Sequence, residues 1–214
     1  MHPDRYDAMR ASRDLRPRET AALVREVAAD RALWRALVRH DPDERWHRRL
    51  LWTPHVEVYL LGWTAEQDTR MHDHGGSVGA FMVTEGRLFE DRSRAGSTRI
   101  RTVDHTSGTV VRFDADHVHN LGNRGPEPAT SIHAYSPPLP FMRFYEPDDE
   151  GRLRAVYQLA VDGPEPDDAA TPTLLGDAVP TGPGGSAMPS ARERIAASAR
   201  HAGVPHAGAG RSGS

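Results

Sequence analysis

The 214-residue chain contains no cysteine. That absence removes disulfides, thiolate zinc sites, iron–sulfur ligation and cysteine nucleophiles. Lysine is missing too: all 27 basic residues are arginine, which excludes a Schiff-base lysine and a phosphate-loop lysine. No run approaches the length of apolar sequence that crosses a bilayer as a helix, and the opening MHPDRYDAMRASRDLRPRE lacks the apolar core of a secretory signal. A net charge of −3 gives no general attraction to nucleic acid or to an anionic membrane. The expectation is a cytoplasmic monomer acting on a small molecule. Any metal must be held by His, Asp or Glu, and twelve histidines are available.

Three zones follow one another along the chain. Over residues 16–40 the apolar residues Leu23, Val24, Val27, Leu33, Leu37 and Val38 fall at helical spacing, and Asp41-Pro42 ends the pattern. This predicts a short helical hairpin within an N-terminal segment, 1–45. Over 46–161 the period changes. β-rich runs at 56–63, 79–84, 87–91, 98–103, 109–113, 118–121, 130–135, 142–145 and 153–159 alternate with turn signals such as Glu85-Gly86, Ala95-Gly96 and Ser107-Gly108. Many short strands at this spacing predict a mainly β domain, a sandwich or small barrel. After Tyr157 there is no aromatic residue, and 162–214 is rich in Pro, Gly, Ala and Ser. Such a stretch buries too little apolar surface to offset its ordering entropy. It is read as a disordered tail with a transient helix over 189–202.

The chemistry concentrates in histidines. In Arg70-Met71-His72-Asp73-His74, alternate residues of a strand point to one face, so His72 and His74 present two imidazoles to one point. In Asp116-His117-Val118-His119 the same parity gives a second pair, either of which can reach a metal. Further on, Ser131, His133 and Tyr135 are spaced by two, so hydroxyl, imidazole and phenol line one strand face as a candidate hydrogen-bonded relay.

The two histidine segments resemble the paired motifs of the cupin superfamily. His72, His74 and Gly86 fit the first motif; Gly108, His119 and Asn123 fit the second, with Asp114 and Asp116 in place of its Pro and Gly. The resemblance selects His119 as the third ligand, because it alone has an Asn four residues on. His117 is then a surface or supporting residue. The cupin carboxylate position, five residues after His74, is Gly79. The implied site is three neutral imidazoles without an anion, a set that suits an anionic ligand such as a thiolate.

With Ser131-Ile-His133-Ala-Tyr135-Ser-Pro-Pro-Leu139 added, residues 46–145 resemble the thiol dioxygenases of the cysteine dioxygenase type, bacterial form. The resemblance implies a cupin barrel that holds Fe(II) on His72, His74 and His119. It implies a relay of Ser131, His133 and Tyr135 at the site, and oxidation of L-cysteine by O2 to cysteine sulfinate. It further implies an arginine that clamps the substrate carboxylate. The family's Tyr-x-Arg-x-Leu setting corresponds to Trp46-His47-Arg48-Arg49-Leu50 and points to Arg48, with Arg49 as the alternative. The crosslinking cysteine of the mammalian enzymes aligns with Gly79, so Tyr135 stays unmodified. Rival readings are a dioxygenase of 3-mercaptopropionate or another small thiol, a non-catalytic metal-binding or sensing cupin, and a cupin using Zn or Ni.

Overall fold

Residues 6–161 and 173–174 are described in a computed structural model of the chain. The rest of 162–214, with the helix expected over 189–202, lies outside the described residues. Helix α1 (Pro17–Ala29) begins where the sequence carries two N-terminal signals. Pro17 occupies the first turn, where a backbone N–H has no helical partner, and the Glu19 carboxylate accepts the Arg16 backbone N–H at 2.7 Å. Thr20, Leu23, Val24 and Val27 form its buried stripe at i, i+3, i+4 and i+7. The expected hairpin partner is a single turn, α2 (Arg31–Trp34), followed by a 3-10 turn at Arg35–Leu37. The Trp34 indole N–H donates back to the Ala28 carbonyl at 3.2 Å. The chain therefore folds onto the end of α1 instead of running antiparallel to it.

The strands are β1 (His47–Thr53), β2 (Val56–Trp63), β3 (Val78–Glu85), β4 (Arg87–Ser93), β5 (Arg101–Thr106), β6 (Val110–Phe113), β7 (Val118–Gly122), β8 (Ala129–Ser136), β9 (Phe141–Pro147), β10 (Leu153–Ala160) and β11 (Thr173–Leu174). They form a five-stranded sheet ordered β1-β2-β8-β3-β6 and two three-stranded sheets, β5-β4-β7 and β11-β10-β9. This is the expected mainly β, cupin-type architecture with a short helical segment before it. Strand β1 is an addition to the sequence reading, and β5 lies three residues later than expected. No helix among the described residues is long and apolar enough to cross a membrane.

Strands β2 and β8 are buried at every position, because both faces of the large sheet are covered. On one face Val58, Leu60, Ala80, Ile132 and Ala134 pack with Leu23, Val24 and Val27 of α1. Each of those helix side chains contributes about 1.5–3 kcal/mol by leaving water. On the other face Tyr59, Leu61, Trp63, Phe81, Phe113 and Tyr135 pack with Leu88 and Leu121.

The register sets which residues share that inner face, since directly paired residues project to the same side. One row runs Arg49, Tyr59, His133, Phe81 and Val111; the next runs Glu57, Tyr135, Gly79 and Phe113. At the β3–β4 turn Gly86 has φ +76°, and a Cβ there would lie 2.6 Å from the Pro128 carbonyl oxygen. Only glycine meets both requirements.

Candidate metal centre

His72 lies opposite His119. Each backbone N–H donates to the other's carbonyl, at 2.8 and 2.9 Å. Residues paired in this way project to one face, and His74, two residues along, joins them. One ring nitrogen from each of the three lies within 4.8 Å of the others. The three residues are 1–2 % exposed. Burial, the largest influence, pushes all three imidazoles below their ordinary pKa, so they are neutral, as metal ligands must be.

The hydrogen bonds of His72 and His119 leave one nitrogen of each ring for the centre. His72 Nδ1 is 2.9 Å from the Arg70 carbonyl oxygen, and His119 Nδ1 is 2.8 Å from Glu90 Oε1. Both nitrogens of His74 are buried with no hydrogen-bond partner in the protein. A buried imidazole without partners costs free energy unless something binds it. A divalent first-row metal on the three converging nitrogens meets that need, and the donor set suits one. Asp73 takes no part. Its carboxylate accepts from Arg143 Nε and the Tyr145 hydroxyl, each at 2.7 Å, and so fastens the segment carrying His72 and His74 to β9.

At Gly79 a Cβ would lie 2.5 Å from Phe113 Cζ and 2.7 Å from the Ala134 carbonyl oxygen. The Phe113 ring takes the space that a side chain at 79 would need, and stacks on His74 with centroids 4.5 Å apart. Among the described residues the three-histidine group contains no carboxylate.

Ser131, His133 and Tyr135 form a continuous chain beside these ligands. Ser131 Oγ is 2.8 Å from His133 Nε2, and His133 Nδ1 is 3.2 Å from the Tyr135 hydroxyl. The Trp63 indole N–H donates to Ser131 Oγ at 2.9 Å. An indole only donates, so Ser131 Oγ accepts from Trp63; with the His133 proton on Nδ1 the chain runs from serine to imidazole to phenol, and with it on Nε2 it runs the other way. In the first arrangement the Tyr135 O–H is free to donate elsewhere. Burial pushes His133 down to about 3 and Tyr135 above its ordinary value, so the imidazole stays neutral and the phenol stays protonated. The Tyr135 ring lies 5.2 Å from that of His74.

Of the two arginines left open by the sequence, Arg48 pairs with Leu60, on the face that carries α1, and is exposed. Arg49 pairs with Tyr59 on the relay face and is 11 % exposed. Its guanidinium lies 3.7 Å from Glu57, whose carboxylate also accepts the Leu139 N–H at 2.7 Å. Strand parity thus separates Arg48 from the histidines and relay.

Four neighbours escaped the sequence reading. Trp63 orients the relay, and Glu57 faces it. Arg45 lies over the Trp63 ring and donates to the Asp68 carbonyl at 2.7 Å. Glu90, fully buried, is reached by His105, His117, His119 and Arg92. Burial alone would raise the Glu90 carboxyl, but hydrogen bonds from the three histidines outweigh it and hold the group below the usual carboxylate range. Asn123, part of the motif, is a turn residue: it bonds Glu127 O and Gly125 N at the entrance to β8.

A family model described as cysteine dioxygenase type I matches residues 10–148. Among solved structures the chain is similar to a protein from Thermus thermophilus, at 17% identity over 49% of this chain and 93% of that one, with a TM-score of 0.43. It is similar to a cupin superfamily protein from Desulfitobacterium hafniense, at 10% identity over 49% and 87%, with a TM-score of 0.42. It is also similar to a conserved protein with a double-stranded β-helix domain from Klebsiella pneumoniae, at 19% identity over 48% and 85%, with a TM-score of 0.41.

Proposed function

The chain belongs to the cysteine dioxygenase type I family, and on that premise we propose that it is an Fe(II)-dependent thiol dioxygenase converting L-cysteine and O2 to cysteine sulfinate. The observation that carries the reading is the meeting of His72, His74 and His119 beside the Ser131–His133–Tyr135 chain, with both His74 nitrogens lacking protein partners. Both oxygen atoms end on sulfur. Sulfur loses four electrons and the two oxygen atoms gain them, so no external reductant is needed.

Fe(II) held by the three imidazoles would supply the redox-active centre at which thiolate and dioxygen react. The remaining work falls to the chain. Arg49 binds the substrate carboxylate, for which its planar fork is suited, and draws it to the relay face. Glu57 shares that cation, so Arg49 is held in place before substrate arrives. Tyr135 donates its hydroxyl proton to oxygen or carboxylate at the site, with its orientation set through His133, Ser131 and Trp63. Phe81, Phe113 and Leu121 keep water from the reacting groups. Holding both reactants in one orientation is the main catalytic effect.

The substrate clamp is testable by kinetics. A charge-assisted bidentate contact is worth about 1.5–3 kcal/mol. Arg49→Ala is therefore predicted to raise the KM for L-cysteine by about 10- to 100-fold, with iron content unchanged, while Arg48→Ala leaves KM near that of the parent. An unchanged KM in Arg49→Ala would remove Arg49 from the site.

A further inference from the structure

We propose that Glu90 is a positioning residue of the metal centre, supplying one hydrogen bond behind His119 the negative charge that position 79 lacks. The inference rests on the three-histidine reading of the centre and extends it to a residue outside the ligand set. Glu90 is fully buried on β4, and its two oxygens are divided among four donors. Oε1 takes His119 Nδ1 at 2.8 Å and His117 Nε2 at 3.0 Å; Oε2 takes His105 Nε2 at 2.8 Å and Arg92 Nε at 2.6 Å.

An ionised carboxylate only accepts. Each facing nitrogen must therefore carry a hydrogen. For His119 this places the proton on Nδ1 and directs the Nε2 lone pair at the centre. A carboxylate behind a ligating imidazole fixes its tautomer and increases its basicity. The other two ligands have weaker support. His72 leans on the neutral Arg70 carbonyl at 2.9 Å, and His74 has no partner.

The three ligands are thus unequal, and His119 is the strongest donor. Phe113 and the Ala134 carbonyl leave no room for a side chain at 79, so an anion cannot enter the ligand set from that strand. The fold provides it from β4 instead. This also gives a use to the second His-x-His: His119 faces the centre, while His117 holds the carboxylate that supports it. His117 is 16 % exposed, and its ring stacks on Phe113 at 5.2 Å.

The test uses the whole protein and Zn(II), in the absence of thiol and oxygen, so it stands apart from catalysis. Glu90→Gln keeps the side chain's shape and removes its charge. Its Zn(II) affinity, measured by competition with a chromophoric chelator, is expected to fall roughly 10- to 100-fold. His105→Gln touches the same carboxylate but not His119, and is expected to stay within about threefold of the parent. Equal losses in both variants would mean a cluster that only holds the sheet together, and would overturn the proposal; so would an unchanged Glu90→Gln. Should Glu90→Gln fail to fold, nitrogen-15 spectra of the Zn(II)-loaded parent decide. A proton on His119 Nδ1, strongly hydrogen-bonded, is expected, and a proton on Nε2 overturns the inference. A parent protein that binds Zn(II) tightly but oxidises no thiol would sink the dioxygenase reading and leave this one standing.

Discussion

His119→Ala is expected to abolish stoichiometric Fe(II) binding, whereas His117→Ala keeps the iron. The two histidines are two residues apart, His117 just before β7 and His119 within it, and both touch Glu90. What separates them is the pairing partner. His119 exchanges both backbone hydrogen bonds with His72, so these two imidazoles emerge side by side with His74 next to them. His117 sends its Nε2 to Glu90 and has no nitrogen in the three-histidine group. Loss of a supporting group around a metal costs roughly 10- to 100-fold in affinity, and loss of one of three ligands must cost more. Iron analysis after gel filtration reads the outcome directly. Iron retained by His119→Ala and lost by His117→Ala would mean that the other histidine of the pair is the ligand.

Tyr135→Phe is expected to lower kcat by about 100-fold, at the lower end of what one positioned proton donor contributes. Iron content should not change, because the phenol touches no ligand nitrogen. The direction of the relay makes the loss specific. In the proposed mechanism His133 carries its proton on Nδ1, so the protons run from indole to serine to imidazole to phenol, and the last O–H is the one left for the substrate. His133→Gln should fall between parent and Tyr135→Phe, since it leaves the phenol present but poorly aimed. The measurement is steady-state kinetics with iron content matched across variants. A kcat within about twofold of the parent in Tyr135→Phe would reduce the chain to a structural feature of a buried strand face.

Much of the site was legible because it depends on local parity. The alternation in Ser131-Ile132-His133-Ala134-Tyr135 needs nothing beyond the period of a strand, and the strand expected over 56–63 has the boundaries of β2; His72 and His74 converge although residues 72–74 lie in no strand, because His72 bridges to His119. What was illegible depends on pairing between distant segments. Whether Arg48 or Arg49 faces the relay is decided by the β1–β2 register, which slips by one residue between Arg49 and Leu51. A one-residue change reverses the face of every side chain, and β1 itself, with two consecutive arginines, reads poorly as a strand. Glu90 looks like a solvent-facing charge in Leu88-Phe89-Glu90-Asp91-Arg92. Two of its donors, His105 and His119, are 15 and 29 residues away. The steric closure at Gly79 is of the same kind, because Phe113 enters from β6. The second helix failed for a different reason: its spacing was apolar enough, but Trp34 turns back to bond the end of α1.

Oxygen uptake by the iron-loaded protein with L-cysteine, run beside 3-mercaptopropionate and cysteamine, separates a cysteine dioxygenase from a cupin that only binds metal. L-Cysteine is expected to support the fastest uptake, with one O2 consumed per cysteine sulfinate formed and both oxygen atoms of labelled O2 found in the product. Iron bound in stoichiometric amount, with no uptake on any of the three thiols, would contradict the dioxygenase reading.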